Sequence, residues 1–228
     1  MKLEFCGHSC FIISYNEHSV IIDPFLTGNP QATKRASDVS VEAVILTHGH
    51  GDHIGDWLSI AQKNNATIIA PYELAMYCEK KGAPVHPLHI GGGYNFPFGR
   101  VKLTPAWHGS AIMDDSNICI YTGSPCGVLI TMGGKTVYHS GDTGLFGDMR
   151  LIGECNSIDV ALLPIGDNFT MGIQDALYAL KLLNPRKVIP MHYNTFPIIA
   201  ADPDAFAKGA RELKYECIIL KPGESVTI

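Results

Sequence analysis

The sequence predicts a layered α/β domain, an expectation that rests on size, composition and the order of its periodic segments. Of 228 residues, 46% are hydrophobic and 17% charged, which supplies apolar material for a large core. Strand-like runs open the chain, and strand and helix patterns alternate behind them. The arrangement then recurs, so the sequence reads as two similar halves. No linker, low-complexity tract or short-period repeat separates them, and residues 1–228 are read as one domain.

The opening strands are expected at residues 2–5, 10–15 and 20–23, with turns at Gly7-His8 and Asn16-Glu17. Residues 42–47 form a compact apolar run that ends at a dense cluster of His, Gly and Asp. Behind the cluster Ile54, Trp57, Leu58 and Ala61 recur at helical spacing, up to the Asn64-Asn65 break. A strand at 67–70 is followed by a helix at 72–81, introduced by Pro71 and stopped by Gly82. Between Pro84 and Ser140 the pattern changes to strands separated by Gly pairs, clearest at 101–105, 128–131 and 136–139. Strands at 158–164, 188–191 and 217–220 resume the alternation, with helices near 175–183 and 203–213 between them. The longest loop, 26–40, lies just before the His cluster, where loops often cover a site.

Charge and cysteine usage exclude several classes. The formal net charge is -5, and no basic run exceeds the pairs Lys34-Arg35 and Lys80-Lys81. A nucleic-acid binder needs a basic footprint to neutralise phosphates, so nucleic acid is not expected as a partner. The opening Met1-Lys2-Leu3-Glu4-Phe5 lacks the apolar run of a signal peptide, and no stretch approaches the roughly 20 apolar residues that span a bilayer. A cytoplasmic protein without a membrane partner is expected. The seven cysteines are odd in number and lack C-x-x-C spacing, which argues against a disulfide framework or a thiolate zinc site. An apolar, low-charge chain of this kind is compatible with a homo-oligomer.

The motif that decides the chemistry is Thr47-His48-Gly49-His50-Gly51-Asp52-His53. Four side chains with metal affinity fall within six positions, and the interleaved glycines let the backbone curl so that they converge. His48 and His50, two apart in an extended stretch, suit one metal. Asp52 and His53, carried onto the helix start, suit a second. Imidazole and carboxylate without thiolate fit Zn, Mn, Ni, Co or Fe. Further ligands are expected where a polar residue directly follows an apolar strand, at His108, Asp142 and His192.

This ordered set resembles the metallo-β-lactamase superfamily of hydrolases. A narrower likeness, to the L-ascorbate-6-phosphate lactonase family and related small metal-dependent hydrolases, is carried by Gly7-His8-Ser9-Cys10, Pro105-Ala106-Trp107-His108 and Pro190-Met191-His192-Tyr193-Asn194-Thr195. The resemblance implies an αββα four-layer sandwich, two β-sheets flanked by helices, with two divalent metals, zinc first among them, at one edge. It implies His48, His50 and His108 as ligands of one metal, Asp52, His53 and His192 as ligands of the other, and Asp142 as the bridge. Asp23, in Ile-Ile-Asp-Pro, matches the acid that supports the metal loop from behind.

The implied function is hydrolysis of a small ester, lactone or phosphodiester by a metal-activated water, with Asp52 as the catalytic residue that orients it or accepts a proton. An iron-dependent redox protein and a non-catalytic metal-binding protein are the alternatives on the same ligands. The Ala-Trp before His108 differs from the glyoxalase II context, and no large inserted domain of the nucleic-acid-processing branch is present. His8 is read as a substrate contact, with a hydrogen-bonded structural histidine as the alternative. Thr170, on the rim after the 158–164 strand, is read as a substrate contact, with capping or loop packing as its alternative. His139 is read as a strand residue or a support for the ligands.

Overall fold

The computed structural model describes residues 1–114 and 116–228. Its first half contains β1 (Lys2–Gly7), β2 (Cys10–Tyr15), β3 (His18–Ile22), β4 (Ala43–Ile45), α1 (Gly51–Ile54), α2 (Trp57–Asn64), β5 (Thr67–Pro71), α3 (Tyr72–Lys80) and β6 (Val85–Leu88). The second half begins with β7 (Gly93–Phe96), β8 (Gly99–Pro105), the small hairpin β9 (Ala111–Met113) and β10 (Cys119–Tyr121), β11 (Cys126–Met132) and β12 (Lys135–His139). It continues through α4 (Met149–Cys155), β13 (Val160–Pro164), α5 (Ile173–Leu183), β14 (Lys187–Met191), α6 (Pro203–Glu212), β15 (Glu216–Cys217) and β16 (Ser225–Thr227).

Each half builds a seven-stranded sheet by the same recipe. The first has the order β16-β1-β2-β3-β4-β5-β6 and the second β15-β14-β13-β12-β11-β8-β7. In both, hairpin-connected antiparallel strands come first and parallel strands follow through helical crossovers. The C-terminal β16 returns to pair with β1, so the last strand of the chain closes the first sheet.

Period-two alternation explains the layering. Leu3, Phe5, Phe11, Ile13, Val20 and Ile22 face inward and meet Val101, Leu103, Val128, Ile130, Leu162 and Ile189 of the second sheet in one buried cluster. The other face of the first sheet, with Ile21, Val44, Leu46 and Ile68, is covered by Ile60, Leu74 and Ala75 of α2 and α3. Tyr138, Ala161, Leu163 and Val188 of the second sheet are covered by Met149, Ile152, Leu180 and Phe206 of α4 to α6. The result is the αββα sandwich that the resemblance implies. No helix among the described residues is long and apolar enough to cross a membrane.

Two departures from the sequence reading have a physical cause in the packing. The strand expected at 217–220 shrinks to Glu216–Cys217, with one further bond from the Ile218 N–H to the Val188 carbonyl at 2.9 Å. Past that point Lys221, Pro222 and Gly223 carry the chain across to the first sheet. Helix α4 was not anticipated, because a seven-residue segment with an internal Gly153 carries little helical signal. The glycine is there for packing: a Cβ at Gly153 would press on the Leu183 carbonyl oxygen and lie 2.7 Å from that of Leu182, at the end of α5.

That contact fixes the sign of a substitution. Helix propensity alone would favour Gly153→Ala by about 1 kcal/mol, whereas overpacking against a backbone carbonyl costs about 1–3 kcal/mol. Urea unfolding of Gly153→Ala is expected to show net destabilisation; a raised midpoint would mean that α4 and α5 separate freely.

Candidate metal centre

The centre is organised around a carboxylate that holds no position on its rim. Asp23 ends β3 with φ 47° and is fully buried. Its Oδ1 accepts the Thr47 backbone N–H at 2.9 Å, and its Oδ2 accepts the Thr47 hydroxyl at 2.6 Å and His53 Nδ1 at 2.8 Å. Thr47 has then spent its only proton, so its oxygen accepts from His48 Nδ1 at 3.0 Å. Nδ1 of both histidines is thereby committed to carrying a proton, which leaves Nε2 as the nitrogen available to a metal.

The His-rich loop runs from the end of β4 into α1. A Cβ at Gly49 would collide with the Thr122 hydroxyl and lie 3.2 Å from Ile112 Cγ1. Glycine therefore lets the loop pass against the β9–β10 hairpin, where the Gly49 N–H donates to Ser110 Oγ at 3.1 Å. His48 Nε2 and His108 Nε2 then lie 3.0 Å and 3.2 Å from His50 Nδ1. Asp52 and His53 follow on α1, and with His192 and His8 they offer ligand atoms within 4.8 Å of one another.

Asp142 stands between the two groups. Its Oδ1 is 3.2 Å from His53 Nε2, and its Oδ2 is 3.0 Å from His192 Nε2 and 3.6 Å from His108 Nε2. His53 Nε2, Asp142 Oδ1 and His192 Nε2 are nonetheless buried without a hydrogen-bond partner among the described residues. Close but misaligned polar atoms of this kind aim at a common point rather than at each other. A cation there satisfies them all, so the donor set fits a metal. The turn that delivers Asp142 depends on His139, whose Nδ1 accepts the Gly141 N–H at 3.0 Å while Nε2 donates to the Ser9 carbonyl at 2.9 Å. His139 thus supports the ligands, as one of its sequence readings held.

Burial sets the protonation states. It holds His48 well below the usual histidine range and also lowers His50 and His108, all of which keeps them neutral. Burial acts on His53 in the same direction, but the Asp142 and Asp23 carboxylates outweigh it and hold that histidine well above the usual value. Asp52 and Asp142 lie well below the carboxylate range, because neighbouring histidines overcome the cost of burial.

All seven expected ligands therefore come together, with Asp23 behind them. His8 is fully buried, with Nδ1 2.8 Å from Thr195 Oγ1 and Nε2 3.2 Å from Asp52 Oδ2, the arrangement of the hydrogen-bonded histidine that is its alternative reading. Thr170 lies in the loop whose Met171 N–H donates to the Thr143 carbonyl at 2.9 Å, beside Asp142. Its hydroxyl turns back toward the Met171 carbonyl at 3.4 Å. The sequence reading passed over Thr47, although its place directly before His48 is a signal for a tautomer-setting hydroxyl. It also passed over Gln31 and Thr195, whose contacts with His8 span 23 and 187 positions and leave no local signal.

Comparison with known proteins agrees with this geometry. Residues 18–193 match a family model described as the beta-lactamase superfamily domain. A UPF0173 metal-dependent hydrolase of Bacillus cereus strain B4264 is 52% identical over 229 residues, covering 100% of both chains. One from Desulforamulus reducens is 54% identical over 231 residues with the same coverage. Among solved structures, Igni18, a metallo hydrolase from Ignicoccus hospitalis, superimposes with a TM-score of 0.91 at 40% identity, over 100% of this chain and 97% of that one.

Asp23→Asn keeps the shape but replaces an acceptor by an amide donor, which disturbs both histidine tautomers. Its metal affinity is expected to fall about 10–100-fold, as read by competition with a chelator; unchanged affinity would remove Asp23 from this role. A second expectation concerns protons. Metal-free His53 is protonated at neutral pH, so an incoming metal displaces a proton and affinity rises with pH, roughly tenfold per unit for each proton released. Calorimetry in buffers of different ionisation heat measures that release, and a pH-independent affinity would contradict it.

Proposed function

The chain belongs to the beta-lactamase superfamily and is a metal-dependent hydrolase of that superfamily, and from this premise we propose a binuclear enzyme acting on a small ester or lactone. His48, His50 and His108 would hold one metal, Asp52, His53 and His192 the other, and Asp142 would contact both. The observation that carries the reading is the convergence of the buried, unpartnered His53 Nε2, Asp142 Oδ1 and His192 Nε2. Zinc is the first choice for this imidazole and carboxylate set. When bound, divalent ions supply Lewis acidity and a water that ionises near neutral pH.

The chain's own residues do the rest. Asp142 holds the two groups of histidines in register, and Asp23 keeps their lone pairs inward. The Asp52 side chain is 34% exposed while that of Asp142 is 3%, so Asp52 is the ionised ligand within reach of substrate and solvent. It orients the attacking water or takes its proton. An exposed ligand also distinguishes a catalytic site from a closed structural one.

The proposed substrate class is supported by the cavity of about 420 Å³ beside His108, which Trp107, Gly109, Ser110 and Tyr121 help to line. Its lining carries no Lys, Arg, Asp or Glu among the described residues. An uncharged ester or lactone fits such a wall, whereas a phosphodiester anion finds no cationic side chain there. The proposed partner is therefore a neutral small molecule, neither nucleic acid nor membrane.

The metal-loaded protein is expected to hold close to two ions per chain and to hydrolyse neutral esters or lactones faster than phosphodiesters. Its rate should rise with pH through a transition near 7. Asp142→Ala should weaken both sites at once and lower kcat on the order of 100- to 1000-fold, the scale of several kcal/mol of lost transition-state stabilisation. His108→Ala and His192→Ala should each weaken mainly one ion. Full two-metal occupancy in Asp142→Ala, or activity in fully demetallated protein, would overturn the reading.

A further inference from the structure

We infer that His8 is a positioning residue of the second metal site, holding Asp52 through its ring and His192 through its backbone. The inference rests on the assignment of Asp52 and His192 to that site. It starts from the conformation of two residues. His8, in the turn between β1 and β2, has φ 58°, and His192, just after β14, has φ 53°. Side chains rarely adopt this left-handed region, and it persists only where the surroundings impose it. Here each supports the other: the His192 N–H donates to the His8 carbonyl at 2.8 Å, and the two rings lie 4.1 Å apart between centroids. One residue belongs to the first sheet and the other to the second, so the pair joins the two sheets at the metal edge.

The loop that covers this junction locks it further. The His8 N–H donates to Gln31 Oε1 at 3.2 Å, which orients the amide so that Gln31 Nε2 donates to the Tyr193 carbonyl at 3.2 Å. Asn29 and Gln31 also press against Gly7, where a Cβ would lie 3.2 Å and 3.1 Å from them. The turn, the loop and the segment bearing His192 form one packed unit.

Hydrogen-bond polarity then says what the ring does. The Asp52 carboxylate can only accept, so the ring proton of a neutral His8 belongs on Nε2, 3.2 Å from Asp52 Oδ2. Nδ1 is left as an acceptor, and of the two acceptors within reach of the Thr195 hydroxyl, His8 Nδ1 at 2.8 Å and Gln31 Oε1 at 3.2 Å, the nearer takes its one proton while Gln31 Oε1 already accepts the His8 N–H. The opposite tautomer would set a nitrogen lone pair against a carboxylate oxygen in a buried site. With Oδ2 held by His8, Asp52 has its other oxygen free for a metal, and Thr195 sets the tautomer that makes this so.

The test compares side chains of equal length at the same strained backbone position. His8→Gln retains an N–H near the place of Nε2, whereas His8→Met has the same reach and no donor. Metal-free protein is titrated with Zn(II) against a competing chelator, and in parallel with Co(II) while its visible spectrum is followed. His8→Met is expected to bind the second equivalent about 10–100-fold more weakly, with the first unchanged and an altered Co(II) spectrum for the second. His8→Gln should recover most of that affinity. Thr195→Val should shift toward His8→Met and Thr195→Ser should not, a comparison that stands even if the His8 variants fail to fold. Equal second-site affinity in the Met and Gln variants, or in the Val and Ser variants, would overturn the inference while the two-metal reading stands. A wild-type protein that takes up one ion only would overturn both.

Discussion

The buried carboxylate of Asp23 is the constraint on which the rest of the centre depends. A carboxylate removed from water is tolerated only when its oxygens are fully hydrogen-bonded, and the Thr47 N–H, the Thr47 hydroxyl and His53 Nδ1 meet that need. Those same bonds tie the end of β3 to the loop after β4 and to α1. They also decide which nitrogen of His48 and His53 carries the proton. A single requirement for charge burial thus shapes the loop and prepares the ligands.

The sandwich supplies the second condition, which is distance. Ligands come from the ends of β4 and β8, from the turn after β12 and from the end of β14, two sheets that touch through a common apolar core. Parallel strands place their C-terminal ends on one edge, where loops are free to carry polar groups. Close packing between the inner faces then fixes how far His48 and His53 stand from Asp142 and His192. Polar ties run across that edge, among them His192 to His8 and His139 to Ser9.

Electrostatics makes the arrangement purposeful rather than merely stable. Asp23 and Asp142 are buried beside five imidazoles, several of whose nitrogens lack hydrogen-bond partners. Without a cation the carboxylates draw a proton onto His53; a bound cation would meet that charge instead and free the ring nitrogen. Asp52 differs from Asp142 in its exposure: the one reaches the surface, and the other stands buried between the two groups of histidines.

The sequence by itself determined the candidate ligand set and most of the strands. His48, His50, Asp52 and His53 are legible because their density is local, and His108, Asp142 and His192 because each directly follows an apolar run. The alternation in residues 2–22 was legible for the same reason, since a strand writes its buried face in every second residue. What lay beyond the sequence were the features made by contacts between distant segments. Helix α4 exists because Gly153 nests against the end of α5, and the last parallel strand stops early because the chain must cross to β1. His8 has the clearest history of all: a histidine in a Gly-His-Ser turn suggests a substrate contact, yet burial and the meeting with Thr195 and Asp52 leave it no free nitrogen. Local periodicity and spacing are properties of a few neighbouring residues, whereas the direction of a hydrogen bond across 187 positions is decided only when the two sheets pack.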